Sequence, residues 1–205
     1  MSGFDSSEEE DDVATDTSPL SIDWLDLAHE GCTAQLGISG LPGCRFKETR
    51  RNLRTDINKI TSLEVQDVFV LCTRGELKKF RVPDLLQEYG FAGLAVHHSP
   101  FLDGEIPPLG MFMKMLDDIR VNLMQGRRTL VHCYGGLGRS AVVCACLLLL
   151  LDATKEPDDV IDILRNLRGP GAVQSVKQYN FIQEFREKMA EYETARECVS
   201  RSVSR

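Results

Sequence analysis

The chain has 205 residues, of which 42% are hydrophobic and 27% are charged, a composition that is ordinary for one globular domain. Its formal net charge of −7 is unevenly distributed: residues 1–30 hold ten of the 31 acidic residues and no Lys or Arg, so the rest carries about +3. This balance argues against a strongly basic nucleic-acid-binding domain, and the longest apolar stretch, Ala141–Leu151, is too short to span a membrane.

The acidity is concentrated in an N-terminal segment, residues 1–21, which includes Ser6-Ser-Glu-Glu-Glu-Asp-Asp12. Such a segment is too charged and too poor in apolar residues to fold alone, so we predict a disordered tail that favours solubility. The alternative is phosphorylation of Ser6 and Ser7 by an acidophilic kinase, since each has an acidic residue three positions later. The N-terminus does not resemble a signal peptide. Because the chain shows no export signal and has seven cysteines, an odd number, we predict that its thiols are reduced. We expect a cytoplasmic protein, with a perinuclear or nuclear location as the alternative.

The elements predicted for the body of the chain, residues 22–194, alternate between strands and helices. In chain order they are strands at Ile22–Asp26 and Ala34–Ile38, a helix at Thr49–Leu63, a strand at Gln66–Cys72, a helix at Val82–Tyr89, a strand at Gly93–His97, a helix at Pro108–Gln125, a strand at Arg128–His132, and helices at Ala141–Leu151, Glu156–Arg168 and Gln174–Glu193. This alternation predicts an α/β fold with right-handed crossovers and a mostly parallel central sheet flanked by helices. Residues 195–205 are predicted to be a short polar tail.

The segment His132-Cys-Tyr-Gly-Gly-Leu-Gly-Arg-Ser140 lies between a buried strand and an apolar helix. The unpaired amides at the start of that helix favour an anion, and they favour the thiolate form of a nearby cysteine. Glycines allow the loop to curl with its amides inward. We therefore predict a phosphate-binding loop at a strand–helix junction, with Cys133 as the nucleophile. The groups that line it are predicted to be Tyr134, Gly135, Gly136, Leu137, Gly138 and Arg139.

Three polar residues flank or close this loop. Arg139 has a planar guanidinium that can hold two phosphoryl oxygens at once, which a lysine cannot do. Ser140 would place a hydroxyl near the sulfur and stabilise the thiolate when it leaves phosphorus. His132 is interpreted as a supporting residue that braces the loop, because an ionised thiolate needs no proton acceptor.

The pattern His-Cys-x5-Arg-Ser resembles the signature of the cysteine-dependent protein phosphatase superfamily. Within that superfamily the chain is similar to the kinase-associated dual-specificity phosphatases over about Ile22 to Arg205. The segments that carry this resemblance are Phe69-Val-Leu-Cys-Thr-Arg-Gly-Glu-Leu77, His132–Ser140, Leu167-Arg-Gly-Pro-Gly-Ala-Val-Gln174 and Ser200-Arg-Ser-Val-Ser-Arg205. The resemblance implies the cysteine-dependent phosphatase fold and activity on phosphotyrosine, phosphoserine and phosphothreonine.

The resemblance also implies a general acid on a loop about thirty residues before the cysteine, which protonates the leaving oxygen. Asp103, beside Gly104, is the predicted acid, and Glu105 is the competing carboxylate. Gln174 is a predicted supporting residue, because a glutamine from this region contacts the phosphoryl group or the hydrolytic water in several branches of the superfamily. Gln174 and Gln178 share one helix face, and two solvated amides are the alternative.

The implied substrate is the phosphothreonine on the activation loop of a cyclin-dependent kinase without its cyclin, and the implied role is restraint of the cell cycle. We expect no cofactor, no metal, no nucleic-acid or membrane partner, and a monomer. Two alternatives are a phosphatase of a non-protein substrate, such as a phosphoinositide or an RNA 5′ end, and a non-catalytic phosphokinase-binding protein. The uncharged loop interior argues against a phosphoinositide.

Kinase docking is expected on residues 174–193, for example at Arg186 and Lys188. Cys32 or Cys72 is a candidate for a protective disulfide with Cys133.

Overall fold

A computed structural model describes residues 16–27, 31–32 and 34–203, with side chains described as far as residue 197. Most of the predicted acidic tail, residues 1–15, therefore lies outside the described residues. The last part of that tail packs on the body: Leu20 is fully buried, and Asp16 forms a parallel bridge with Thr49. The burial of Leu20 and the backbone hydrogen bonds of Asp16 with Glu48 and Arg50 hold residues 16–21 on the body, so the predicted tail is shortened to residues 1–15.

A five-stranded sheet forms the centre of the molecule. Its strands are β1 (Ile22–Leu25), β2 (Leu36–Ser39), β3 (Asp67–Val70), β4 (Ala95–His98) and β5 (Thr129–His132), in the spatial order β1-β2-β5-β3-β4. Only β1 is antiparallel to its neighbour, and the other pairs are parallel. The predicted mixed α/β architecture with a mostly parallel sheet is thereby confirmed.

The register aligns the carboxyl ends of the three central strands, β2, β5 and β3, at one edge of the sheet. His132 of β5 lies opposite Ser39 of β2 on one side and Val70 of β3 on the other. The chain segments that follow these three residues must therefore emerge side by side, which is where open parallel sheets bind ligands.

Eight helices lie within the described part of the chain. They are α1 (Leu53–Ser62), α2 (Arg74–Lys79), α3 (Leu85–Phe91), α4 (Leu109–Met124), α5 (Arg139–Leu151), α6 (Pro157–Arg168), α7 (Val176–Gln183) and α8 (Phe185–Val203). No helix in these described ranges combines the length and the apolar character needed to cross a membrane.

Helix α5 is the central helix of the core. Its residues from Arg139 to Leu149 are all buried, because α4, α6, α7 and α8 surround it and strands β2 and β5 pack against it. Each fully buried Val or Leu in such a position contributes roughly 1.5–3 kcal/mol, so α5 is firmly held and its N-terminus has a fixed position beside the sheet edge.

The predicted elements differ from the structure at several points. Helix α1 begins four residues later than predicted, because the Asn52 side chain accepts a hydrogen bond from Thr55 N (3.0 Å) and caps the helix there. Helix α2 was missed. The single helix predicted at Gln174–Glu193 is interrupted at Glu184, whose ψ of 2° is far from the helical value. Helix α8 then continues to Val203, across the predicted tail boundary at residue 194.

Candidate active site

The catalytic loop, residues 133–138, connects β5 to α5, and the carbonyl groups of residues 134–137 are bound from outside the loop. Leu41 N donates to Tyr134 O (2.9 Å), and Val173 N donates to Leu137 O (2.9 Å). The two carbonyls between them, of Gly135 and Gly136, both accept from the guanidinium of Arg168, at 3.1 and 3.3 Å. Four consecutive carbonyls bound on the outside leave the loop N–H groups to face the centre, which is the geometry of an anion-binding nest.

The cysteine sulfur is in contact with one of these amides. Cys133 is 2% exposed, and its Sγ accepts a hydrogen bond from Gly136 N at 3.2 Å. Ser140, in the first turn of α5, is fully buried and its hydroxyl has no hydrogen-bond partner among the described residues. A buried hydroxyl without a partner is unusual, since most buried polar groups are hydrogen-bonded. The structure thus places the sulfur of Cys133 and the hydroxyl of Ser140 at the N-terminal end of α5.

Two loop glycines lie close to groups from other parts of the chain. Gly136 has φ of +70°, and a Cβ there would lie 2.5 Å from Ser39 O and 2.7 Å from Arg168 Nη2. A Cβ on Gly138 would lie 2.7 Å from the Gln174 side chain. A side chain at Gly136 would collide with the Ser39 carbonyl at a positive φ, so glycine is the residue that fits there, whereas at Gly138 the flexible Gln174 side chain would have to move.

His132 lies behind the loop rather than in it. It is fully buried, and its Nε2 is 2.9 Å from the Tyr89 hydroxyl, which is also buried. Burial lowers the pKa of His132 to about 3, so the ring is neutral at physiological pH. A neutral ring hydrogen-bonded to Tyr89 suits the predicted bracing role and is unsuited to carrying a proton during catalysis.

Arg139 is fully buried and its guanidinium is held from several sides. Its Nη1 donates to the carbonyls of Leu71 (3.1 Å) and Phe101 (2.8 Å), and both terminal nitrogens bind the Glu76 carboxylate, at 2.8 and 2.7 Å. Burial alone would raise the pKa of Glu76, but the hydrogen bonds from Arg139 and from Thr73 bring it below its usual value. Because Nη1 is fully engaged, Nε and Nη2 are the Arg139 donors left for a phosphoryl group.

The predicted acid lies beside this arginine. Asp103 Oδ1 is 3.3 Å from Arg139 Nε, with the side chain 59% exposed. The two charges form an ion pair without an aligned hydrogen bond, since Nε has no hydrogen-bond partner among the described residues. The acid loop is tied down on both sides of Asp103, at Phe101 O by Arg139 and at Gly104 O by the Ser175 hydroxyl (3.0 Å). The competing carboxylate, Glu105, is paired with Lys177 outside the site.

The two glutamines both border the catalytic loop. Gln174 Oε1 and Gln178 Nε2 are the atoms that a Cβ on Gly138 would meet, at 2.7 and 3.2 Å. Gln178 is fully buried, its Oε1 accepts from Gln174 N (2.9 Å), and its Nε2 has no described partner. Gln174 is exposed. The predicted supporting glutamine is therefore at the loop, and Gln178 beside it offers a buried amide donor that faces the same place.

The candidate cysteines for a protective disulfide lie at opposite ends of the sheet. Cys72 follows β3 on the same edge as Cys133, and its Sγ is 3.9 Å from Arg139 Nη2. Burial raises the pKa of the Cys72 thiol, which keeps it protonated. Cys32 precedes β2 and is therefore at the amino-terminal edge. Cys72 is a free thiol, and of the two candidates it has the position that the predicted pairing needs.

Two residues of the site were missed from the sequence. Glu76 had a detectable signal, because Thr73-Arg-Gly-Glu76 is a capping box, and the structure shows both of its reciprocal hydrogen bonds at the start of α2. Arg168 lies at the C-terminal end of α6 and joins the loop carbonyls to Asp23 of β1. No sequence signal indicates Arg168, since its partners lie 32 or more residues away in the chain. Within the described ranges, no group of three His, Cys, Asp or Glu side chains is placed to hold a metal ion.

Fold and site together define a cysteine-dependent protein phosphatase. Comparison with known proteins supports this class. The chain is 47% identical to a crystallised kinase associated phosphatase in which the catalytic-site cysteine was replaced by serine; the TM-score is 0.82, and the match covers 85% of this chain and 98% of that one. A second solved structure, Tk-PTP in its active form, is 26% identical with a TM-score of 0.62, over 74% and 91% of the two chains.

The sequence profile described as Cyclin-dependent kinase inhibitor 3 matches residues 1–161. Proteins of that name from Rattus norvegicus and Homo sapiens are 50% and 48% identical to this chain, in each case over all of it and over 96% of the relative. The chain belongs to the cyclin-dependent kinase inhibitor 3 family, and it is a cysteine-dependent dual-specificity protein phosphatase.

Proposed function

We propose that this phosphatase removes the phosphate from the activation-loop threonine of a cyclin-dependent kinase that has no cyclin bound, and thereby restrains the cell cycle. The observation that carries the chemistry is the catalytic loop, where Cys133 Sγ accepts from Gly136 N while Arg139 and Asp103 lie alongside. The kinase is inferred from the names of the relatives, one a cyclin-dependent kinase inhibitor and one a kinase associated phosphatase.

In the first step the Cys133 thiolate attacks phosphorus, and the bond between phosphorus and the threonine oxygen breaks. Asp103 donates its proton to the leaving oxygen. Arg139, through Nε and Nη2, and the inward N–H groups stabilise the charge on the equatorial oxygens. For this to occur, the phosphoryl group takes the place of the Asp103 carboxylate beside Nε.

In the second step water attacks the phosphocysteine. The Asp103 carboxylate takes a proton from the water, the phosphorus–sulfur bond breaks, and inorganic phosphate leaves. The Ser140 hydroxyl, which has no partner among the described residues, donates to the departing sulfur and stabilises it as thiolate. Gln178 Nε2 and the Gln174 amide lie beside Gly138, where they are suited to hold the attacking water.

The test is a comparison of initial rates on three substrates: a phosphothreonine peptide, a matched phosphotyrosine peptide, and a cyclin-dependent kinase phosphorylated on its activation loop, with and without cyclin. We expect the highest kcat/KM on the cyclin-free kinase. Equal rates with and without cyclin would remove the cyclin dependence, and rates on the intact kinase no higher than on its peptide would remove the kinase as the preferred substrate.

We also propose that the enzyme acts as a monomer in the cytoplasm or at the nucleus.

A further inference from the structure

Arg168 is the last residue of α6, and its side chain is only 10% exposed. All three nitrogens of its guanidinium have a partner. Nη1 pairs with the Asp23 carboxylate, Nη2 donates to the Gly135 carbonyl (3.1 Å), and Nε donates to the Gly136 carbonyl (3.3 Å). The donors of a guanidinium are fixed relative to one another in one plane, so three such contacts set its orientation. Arg168 is therefore a rigid connection between strand β1 and the middle of the catalytic loop.

The two carbonyls that Arg168 holds lie in the most deformable part of the loop. The outer carbonyls, of Tyr134 and Leu137, accept hydrogen bonds from backbone amides, whereas the inner two accept from this side chain. The inner carbonyls belong to consecutive glycines, which allow many backbone conformations, including those in which a peptide plane is turned over. The glycines therefore permit the curled loop without selecting it, and the selection needs a contact from outside the loop.

A single peptide group joins Arg168 to the cysteine sulfur. Gly135 O and Gly136 N belong to the same peptide: its oxygen accepts from Arg168, and its N–H donates to Cys133 Sγ at 3.2 Å. The C=O and N–H of a trans peptide point in opposite directions, so a donor that holds the oxygen on one side directs the N–H toward the sulfur on the other. The positive guanidinium also polarises the peptide, which strengthens the hydrogen bond to the sulfur.

We propose that Arg168 is a positioning residue for the phosphatase reaction. Oriented by Asp23, it holds the peptide between Gly135 and Gly136 with the N–H directed at Cys133, where that N–H stabilises the thiolate. Arg168 acts through the peptide and not on the substrate, because all its nitrogens are engaged outside the loop. This inference rests on Cys133 being the nucleophile of the proposed mechanism, and it does not depend on which phosphoprotein is the substrate.

The first test is Arg168→Met, which removes the charge and all three contacts with little change in side-chain length. Alkylation of Cys133 by iodoacetamide is followed by mass mapping as a function of pH, and kcat is measured on a small aryl phosphate. A thiolate with a poorly directed N–H is less stable. The midpoint of the alkylation profile should therefore rise by about half to one pH unit, the effect of one hydrogen bond on the ionisation of its acceptor. We expect kcat to fall about tenfold, since one of several preorganised donors is loosened.

Arg165→Met is the matched control, because Arg165 lies one turn earlier on the same helix. Its side chain is 42% exposed, and its nearest carboxylate partner, Asp162, is 3.9 Å away. This control should change neither the alkylation midpoint nor kcat. A lower Tm in Arg168→Met with an unchanged midpoint and an unchanged kcat would show that Arg168 only stabilises the fold, and it would overturn the proposal.

Two further variants separate position from charge, and they decide the question also if Arg168→Met does not fold. Arg168→Lys keeps the positive charge, but one ammonium group cannot reach three acceptors arranged around a plane, so it should show most of the loss in kcat. Wild-type kcat and midpoint in this variant would overturn the proposal. Asp23→Ala removes a negative charge, which by charge alone would lower the midpoint, whereas a loosened Arg168 raises it. A lowered midpoint would equally overturn the proposal.

The wild-type protein tests the mechanism on which this inference rests. Alkylation of Cys133 should abolish turnover in step with the modified fraction. Turnover that persisted after complete alkylation would reject Cys133 as the nucleophile, and the role of Arg168 would fail with it. If alkylation abolished turnover and the Arg168 variants still behaved like the wild type, the mechanism would stand and only the positioning role would be rejected.

Discussion

Glu76 accepts hydrogen bonds from two directions at a single oxygen: its Oε2 is 2.8 Å from Arg139 Nη1 and 2.8 Å from Thr73 N. The capping box that starts α2 and the arginine that starts α5 therefore share one carboxylate. The position of Arg139 depends on a short helix that lies more than sixty residues earlier in the chain.

This relationship predicts the effect of Glu76→Gln. Glutamine preserves the capping box but removes the negative charge, which leaves Arg139 buried without a full counterion. We expect a loss of about 1.5–3 kcal/mol in unfolding free energy. We also expect a fall in kcat/KM of about tenfold or more on peptide and aryl phosphates alike. Thr73→Ala is the matched control: it loses the cap, at about 1 kcal/mol, and keeps the arginine contact.

The difference in unfolding free energy between wild type and Glu76→Gln should depend on pH. Because the folded-state pKa of Glu76 is below its usual 4.5, the contribution of the ion pair is fully present above that value and is lost as the pH falls through the folded-state pKa. Urea titrations at pH 7 and at successively lower pH should show the two proteins converge in acid. A constant difference across this range would mean that the pair does not stabilise the fold.

Cys133→Ser should abolish turnover, because a serine hydroxyl stays protonated where the thiolate forms, and the fold should tolerate this near-isosteric change. Cys72→Ser is a stringent control, since Cys72 is a fully buried thiol in the same site whose raised pKa keeps it unreactive. It should retain most activity in reducing buffer. Residual activity of roughly a tenth in Cys133→Ser would exclude Cys133 as the nucleophile.

Arg139→Lys should cost ~10²–10³ in kcat, the loss typical for removal of preorganised transition-state donors. A lysine cannot reach Glu76 with two nitrogens and also present a pair of donors to phosphate. Stability and kcat should be measured together, because the substitution also weakens the ion pair with Glu76. A near-normal kcat in a folded Arg139→Lys variant would show that Arg139 does not stabilise the transition state.

Asp103→Asn should impair poor leaving groups much more than good ones. A nitrophenolate leaves without much protonation, whereas a threonine alkoxide needs the proton. Glu105→Gln is the matched control, since Glu105 is paired with Lys177 and should show no such selectivity. If Glu105→Gln gave the selective loss and Asp103→Asn an even one, the acid would be Glu105.

Kinase docking on the C-terminal helices is the remaining prediction, and the structure changes its design. Arg186 donates to the carbonyls of Asp152 (3.1 Å) and Lys155 (2.6 Å), so reversing its charge would disturb the end of α5. Lys188→Glu with Arg196→Glu reverses charge on α8 without that contact. We expect a lower kcat/KM on an intact phosphorylated kinase and an unchanged value on a small aryl phosphate. If the double variant changed kcat/KM on both substrates by the same factor, the kinase would dock on another surface.

The order of strands and helices was predictable because apolar runs and their periods are local properties of the chain. Element boundaries were less predictable where a single contact decides them. Asn52 delays the start of α1, and Glu184 interrupts the C-terminal helix at a position with no glycine or proline to indicate it. Helix α2 was missed because it is short, although its capping box is visible in the sequence.

The sequence by itself determined the chemistry: one cysteine, its loop glycines, Arg139 and Ser140 are adjacent in the chain, and their residue types suffice to indicate phosphate binding. Only the tertiary structure decided which distant groups complete the site, since strand order sets which loops meet at the sheet edge. The register of β3 against β5 brings Cys72 and Glu76 to Arg139, and α6 brings Arg168 to the carbonyls of Gly135 and Gly136. Contacts of that kind carry no local periodicity, because they depend on how separate elements pack and not on the spacing of residues within any one of them.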